Sequence, residues 1–258
     1  MKLIERFIVK NDCYTRNQKK SDSRYTAFQT RGPVGIMLHS VGCSQPKAQV
    51  FADSWNQAGK EAAVHAVLEP ETVIQCLPWN YRGWHGGGDS NNTHIGVEMT
   101  EPSTIAYTGG ASWTDKDPVK TKAFVMGTYK TAVELFAYLC AQYKLDPLKD
   151  GVIISHSEGY KRGIASNHGD VEHLWNRFGL TMAQFRLDVK AEMTGKPANG
   201  SSGGQAGTAD PNEPSEWAAD AHSWVKETGI SDGTNPKDPV TREQVWVMLK
   251  RYDDWKYK

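Results

Sequence analysis

The chain has 258 residues, of which 38% are hydrophobic and 23% charged; this is the composition of a soluble globular protein with room for one ordinary domain and a small one. Thirty basic residues balance thirty acidic ones, so no global charge draws it to nucleic acid. No stretch approaches the roughly 18 apolar residues of a membrane helix, which leaves a membrane partner unexpected.

In chain order, the opening MKLIERFIVKND interrupts its apolar residues with charge every two or three positions. That is not the apolar core of a secretory signal, so a cytoplasmic place of synthesis is expected. Cys13, Cys43, Cys76 and Cys140 show no CxxC spacing and read as reduced, mostly buried thiols. Apolar runs predict strands at 34–39, 63–68, 72–76, 95–100 and 152–155. Helical spacing appears over 47–59, with Val50, Trp55 and Ala58 inward. It is clearer over 119–143, where Phe124, Val133, Phe136, Leu139 and Cys140 recur every three or four residues. A further helix opens at the capping box Thr181-x-x-Gln184 and carries Phe185, Val189 and Met193. The alternation of strands and helices predicts an α/β layer fold.

Residues 195–213, GKPANGSSGGQAGTADPNE, hold Gly, Ser, Ala and Pro with almost no large apolar side chain. They read as a linker between a first domain, 1–194, and a tail, 214–258. The tail reads as a helical module. Ser215 caps a helix with Trp217, Ala221, Trp224 and Val225 on one face, and Thr241-x-x-Gln244 opens a second with Val245, Met248 and Leu249 inward. Forty-odd residues make a thin core, which suits a unit that leans on a partner.

The densest chemistry lies in ISHSEGYKRGIASNHGDVEHLW, residues 154–175, with His156, His168 and His173 among Glu158, Asp170 and Glu172. His156 follows a buried strand, and His39 ends the run GIMLHS in the same kind of position. Strand ends are where α/β folds present functional side chains. Two histidines and a carboxylate bind zinc with a fourth position open, the arrangement of a hydrolytic site. Asp170 is the acidic candidate, behind Gly169, which lets the backbone turn inward; His168 and His173 remain alternatives for the third ligand. Glu98, on the strand IGVEMTE, is a candidate base for a metal-activated water. The Trp- and Gly-rich loop WNYRGWHGGG offers Trp84 and His85 as a groove wall for substrate.

Taken together, GIMLHS, AVHAVLEPETVIQCLP, RGWHGGG, HIGVEMTE and ISHSEG…NHGDVEHLW, in this order over roughly residues 30–190, resemble the type 2 zinc-dependent N-acetylmuramoyl-L-alanine amidases. That family includes peptidoglycan recognition proteins and many phage endolysins. The resemblance implies a mixed central β-sheet flanked by helices, with Zn2+ in a surface groove held by His39, His156 and Asp170. It implies Glu98 as the catalytic glutamate, and it puts His168 where many members carry a lysine that stabilises the oxyanion. The substrate implied is bacterial peptidoglycan. The tail resembles one S-layer homology repeat, through W-A-x-x-A-x-x-W, GISDGT and VTREQVWVML. This implies attachment to a secondary cell-wall polymer, with self-association through the tail as the other expectation. The reading that results is a phage or prophage endolysin against a Gram-positive host, held in the host cytoplasm until lysis and then acting on the wall. Its rivals are a host autolysin and a peptidoglycan-binding protein without catalysis.

Overall fold

The structure, a computed structural model, describes residues 1–195, 213–214, 218–236, 240 and 242–256. The chain divides into two compact units, Met1–Gly200 and Ser201–Lys258. The first unit carries strands β1 (Lys2–Glu5), β2 (Gly35–Ser40), β3 (Ala66–Glu69), β4 (Thr72–Gln75), β5 (His94–Met99), β6 (Ile105–Gly109), β7 (Ser112–Asp115) and β8 (Ile153–Ser155). Six of them form one sheet in the order β1-β4-β3-β5-β2-β8, and β6 and β7 form a hairpin apart from it. Only β3 and β4 run antiparallel within the six-stranded sheet; every other neighbouring pair is parallel. Its helices are α1 (Asp12–Lys19), α2 (Ser23–Arg31), α3 (Ala48–Trp55), α4 (Pro118–Tyr143), α5 (His156–Lys161), α6 (Glu172–Trp175) and α7 (Met182–Thr194). This is the expected α/β fold, a mixed, mostly parallel central sheet flanked by helices.

Side-chain alternation along the central strands divides the sheet into two faces. Ile36 and Leu38 on β2, with Ile95, Val97 and Met99 on β5, join one core with Val125, Phe136 and Leu139 of α4 and Phe185 and Val189 of α7. Trp175 is fully buried there, its ring 5.1 Å from Tyr129 and 5.4 Å from Phe185. A second core joins Tyr14, Tyr25, Ala48 and Ala52 to Val67, Ile74 and Leu77. Met37, His39, Gly96 and Glu98 alternate away from the α4–α7 core, and this polar stretch of the sheet is where the site forms.

Local chemistry explains the element ends. Asp117 accepts a hydrogen bond from the Lys120 amide (3.1 Å), and Pro118 occupies the first turn of α4, where its missing N–H costs nothing. Thr181 Oγ1 accepts from the Gln184 amide (3.1 Å), so the expected cap of α7 forms. Two expectations need correction. In α3 the fully buried residues are Ala48 and Ala52, and Trp55 packs half-buried against the second core as expected, while Val50 is exposed and Ala58 lies beyond the helix; small side chains let this short helix pack close to β3 and β4. Gly169 takes no left-handed backbone conformation, so the turn there has no need of glycine. The cysteines are free and mostly buried as expected: Cys13, Cys76 and Cys140 are enclosed, and burial pushes their thiols up to about 12, while Cys43 is exposed.

In the second unit, α8 (Ala219–Glu227) and α9 (Arg242–Lys256) are the described helices. The expected capping and inward residues Ser215, Trp217 and Thr241 lie outside the described residues, as does most of the 195–213 segment. Trp224 meets Trp255 edge-on, ring centres 5.5 Å apart. Val245 and Met248 are half-buried, whereas Leu249, expected inward, is 60% exposed. Ile230 is the only large side chain fully enclosed among the described residues of this unit; so short a chain has too little interior to cover the rest.

Candidate metal centre

Three chain segments converge on one point. On parallel neighbours β2 and β5, His39 is the register partner of Glu98, so both side chains leave the same face. On the other side of β2, β8 delivers the chain into α5, whose first residue is His156. That helix start is firmly set: Ser155 Oγ accepts from the Glu158 amide and Glu158 Oε2 accepts from the Ser155 amide, both at 3.1 Å. Glu158 is ion-paired in turn to Arg186 of α7. Asp170 arrives on the loop after α5, its carbonyl accepting from the Ser157 amide (3.0 Å) and its Oδ2 from the Ser40 amide (3.3 Å).

His39 Nδ1 and His156 Nδ1 lie 2.9 Å apart, and Asp170 Oδ2 lies 3.5 Å from the first and 3.6 Å from the second. Ligand bonds of about 2.0–2.2 Å around a tetrahedral zinc put neighbouring ligand atoms about 3.3–3.5 Å apart. The two sides to Asp170 match that spacing, and the His39–His156 side, at 2.9 Å, needs the two rings to part by only a few tenths of an ångström. Among the described residues this is the group of His, Cys, Asp or Glu side chains close enough to hold an ion. A cavity of about 560 Å³ opens beside it, with Glu98, Tyr107, His168 and His173 also on its walls.

The electrostatics favour the metal-binding forms. Burial holds the His39 imidazole below its usual range, more strongly than Asp170 raises it, so the ring is neutral. Burial alone would push the Asp170 carboxyl up, but the His156 and His39 rings beside it outweigh burial and hold Asp170 well below the carboxylate range. Glu98 behaves oppositely. Burial, and then the negative charges of Asp170 and Glu101, push its carboxyl well above the usual value, and Oε2 is buried with no hydrogen-bond partner. An unpartnered buried carboxylate oxygen facing a cavity is costly unless a ligand meets it.

The other expected residues are placed as follows. His168 is exposed and sits outside the triangle, its Nδ1 3.2 Å from His156 Nε2 and 3.0 Å from Ser166 Oγ. His173 is turned away from the triangle, its Nε2 2.6 Å from the Tyr107 hydroxyl and 3.5 Å from Glu101 Oε1. Trp84 lines a neighbouring depression with Arg16 stacked over its ring at 5.1 Å, and its Nε1 donates to Tyr25 Oη (3.0 Å). His85 borders both hollows, but its two ring nitrogens are engaged by His39 and by the His94 carbonyl. Sequence reasoning missed the wall built by buried Glu101, which accepts from Tyr107 Oη (2.7 Å) and the Gly42 amide (3.1 Å). Only the spacing Glu98–Glu101 hinted at it.

The profile of the Amidase_2 family, described as N-acetylmuramoyl-L-alanine amidase, matches residues 29–171, more than half of the chain and the whole span from His39 to Asp170. The chain belongs to this amidase family. Membership supports peptidoglycan amidase activity, with peptidoglycan as substrate. Among solved structures, the amidase-family chain is similar to the Staphylococcus aureus hydrolase AmiA in complex with its ligand, at 17% identity over 77% of this chain and 87% of that one, with a TM-score of 0.57. It is also similar to a mutant form of PlyL, at 17% identity over 74% of this chain and 99% of that one, TM-score 0.50. Likeness at this identity is a likeness of fold. No curated protein sequence matches the chain.

Proposed function

We propose that the amidase cleaves the bond between N-acetylmuramic acid and L-alanine of the stem peptide, with His39, His156 and Asp170 holding zinc. The observation that carries this is the ligand-spaced triangle with the unpartnered Glu98 carboxylate on the next strand. When bound, zinc supplies Lewis-acid chemistry, polarising the scissile carbonyl and acidifying the attacking water. Glu98 accepts the water's proton on its unpartnered oxygen and passes it to the leaving nitrogen, a role that suits a carboxylate whose proton affinity is raised by burial. His168, exposed on the cavity wall, hydrogen-bonds the developing oxyanion. Trp84 presents an apolar ring face beyond His85, suited to a sugar or peptide edge. Digestion of purified walls with mass analysis of the products tests the bond cleaved. The expected products are free peptides beginning with L-alanine and no new reducing sugar ends; new reducing ends would overturn the assignment.

We further read the whole as an endolysin against a Gram-positive wall, with residues 214–258 as a targeting module for a secondary cell-wall polymer. The support is the sequence of the tail and its exposed aromatic and aliphatic side chains, Trp246 and Leu249 among them. Self-association through the same helices would cover those side chains, and sedimentation of the full chain distinguishes it.

A further inference from the structure

His85 stands behind His39, on the side away from Asp170 and His156. Its Nε2 lies 3.0 Å from the His94 carbonyl oxygen. A carbonyl only accepts, so Nε2 carries the hydrogen. Among the described residues no carboxylate is ion-paired with His85, and a buried imidazolium without a counter-charge is costly. The ring is therefore the neutral tautomer with a bare Nδ1. That bare nitrogen lies 3.0 Å from His39 Nε2, which must then donate. Once Nε2 of His39 carries its hydrogen, Nδ1 is left as a lone pair, aimed at the point between His156 and Asp170.

The packing around His85 fixes this orientation. A Cβ at Gly96 would stand 2.2 Å from His85 Cγ, and one at Gly83 would stand 3.0 Å from Cδ2. Two glycines thus make the slot in which the imidazole lies flat against β5. The Asn91 side-chain oxygen accepts from the amides of His85 (2.7 Å) and Gly86 (2.8 Å), which holds the loop at the same height. We infer that His85 is a positioning residue of the metal centre, selecting the His39 tautomer whose Nδ1 lone pair faces the ion. This rests on the reading that His39, His156 and Asp170 hold zinc. It departs from the expectation that His85 contacts substrate, because neither ring nitrogen is left for one.

The test is zinc affinity of the full chain, measured by chelator competition. Outer partners of ligand histidines contribute about 10–100-fold in metal affinity. His85→Ala should weaken zinc binding by that factor. Introduced on a His39→Ala background it should change the residual affinity by less than about 3-fold, since its effect runs through His39. Equal losses on both backgrounds, or an unchanged affinity with a raised KM for soluble muropeptide, would overturn the inference. Nitrogen-15 imidazole spectra of the wild-type chain give an answer independent of any variant's folding. They should show His85 and His39 both protonated at Nε2, and the opposite tautomer of His39 would overturn it as well. No zinc binding by the wild type would sink the metal reading itself, whereas wild-type binding that is insensitive to His85→Ala sinks this inference alone.

Discussion

His39 and Glu98 are register partners on adjacent parallel strands, so one sheet sets the spacing between a candidate zinc ligand and the candidate base. Neighbouring strands hold such a pair about 4.8 Å apart at the backbone, whatever the loops around them do. The relationship separates two duties, metal binding and proton transfer, that single substitutions can then tell apart.

Glu98→Gln should leave zinc stoichiometry unchanged and lower turnover by about 10²–10⁴-fold, the usual contribution of a placed base. Product release from purified walls together with metal analysis checks it. Activity within a few-fold of wild type would remove Glu98 from the reaction.

The same substitution should stabilise the metal-free protein, and the gain should depend on pH. Burial, with Asp170 and Glu101 nearby, raises the Glu98 carboxyl in the folded chain. Below the ordinary glutamate value of about 4.3 both states are protonated and nothing is lost. As pH rises from there toward the raised folded value, ionisation favours the unfolded chain and stability falls. Glu98→Gln should therefore melt higher than wild type at pH 7, by about 2–4 °C for each kcal/mol recovered. Near pH 4 the two curves should coincide, and a pH-independent difference would contradict the cause given.

Chelation should lower the melting temperature of the wild type. A ligand at 100 times its Kd stabilises by about 2.7 kcal/mol, or roughly 5–10 °C for a domain of this size. The drop should vanish in His39→Ala, His156→Ala and Asp170→Ala. Should Asp170→Ala keep its zinc while His173→Ala loses it, the third ligand has been misassigned.

Trp175→Ala should cost about 3–5 kcal/mol, because the ring is fully enclosed between Tyr129 and Phe185. Denaturant unfolding of the full chain measures it. A loss below about 1 kcal/mol would mean that this core is not packed as described.

A chain ending at Gly200 should cleave soluble muropeptide at close to the full-length rate and bind intact walls more weakly. The first unit carries its own core and all the proposed site residues, and a linked binding module acts by raising local concentration. Equal wall binding by the two proteins would argue against targeting by the tail.

The site was legible in the sequence where a polar residue interrupts an apolar run. His39 and Glu98 stand out because β2 and β5 are buried and otherwise mostly apolar, and His156 because it follows buried Ile153 and Ile154. The partnership of Glu101, Tyr107 and His173 was not legible, since residues 66 positions apart leave no periodic trace of a hydrogen bond. Strand β1 escaped because all four of its residues are exposed at the sheet edge, and α1 because it is short and polar. The inward face of α3 was legible at Trp55 but not at Ala48 and Ala52, because alanines carry little hydrophobic signal even when fully buried.

The β6–β7 hairpin has a consequence for how such an enzyme diversifies. It forms one flank of the cavity through Tyr107, Gly110 and Ala111, yet it hydrogen-bonds as a two-stranded ribbon separate from the main sheet. Insertions at its tip can reshape this flank of the cavity while the candidate ligand triangle, borne by β2, α5 and the loop after it, stays where it is. A lineage can thus adapt to altered wall chemistry by exchanging a surface ribbon, inheriting its reaction centre intact.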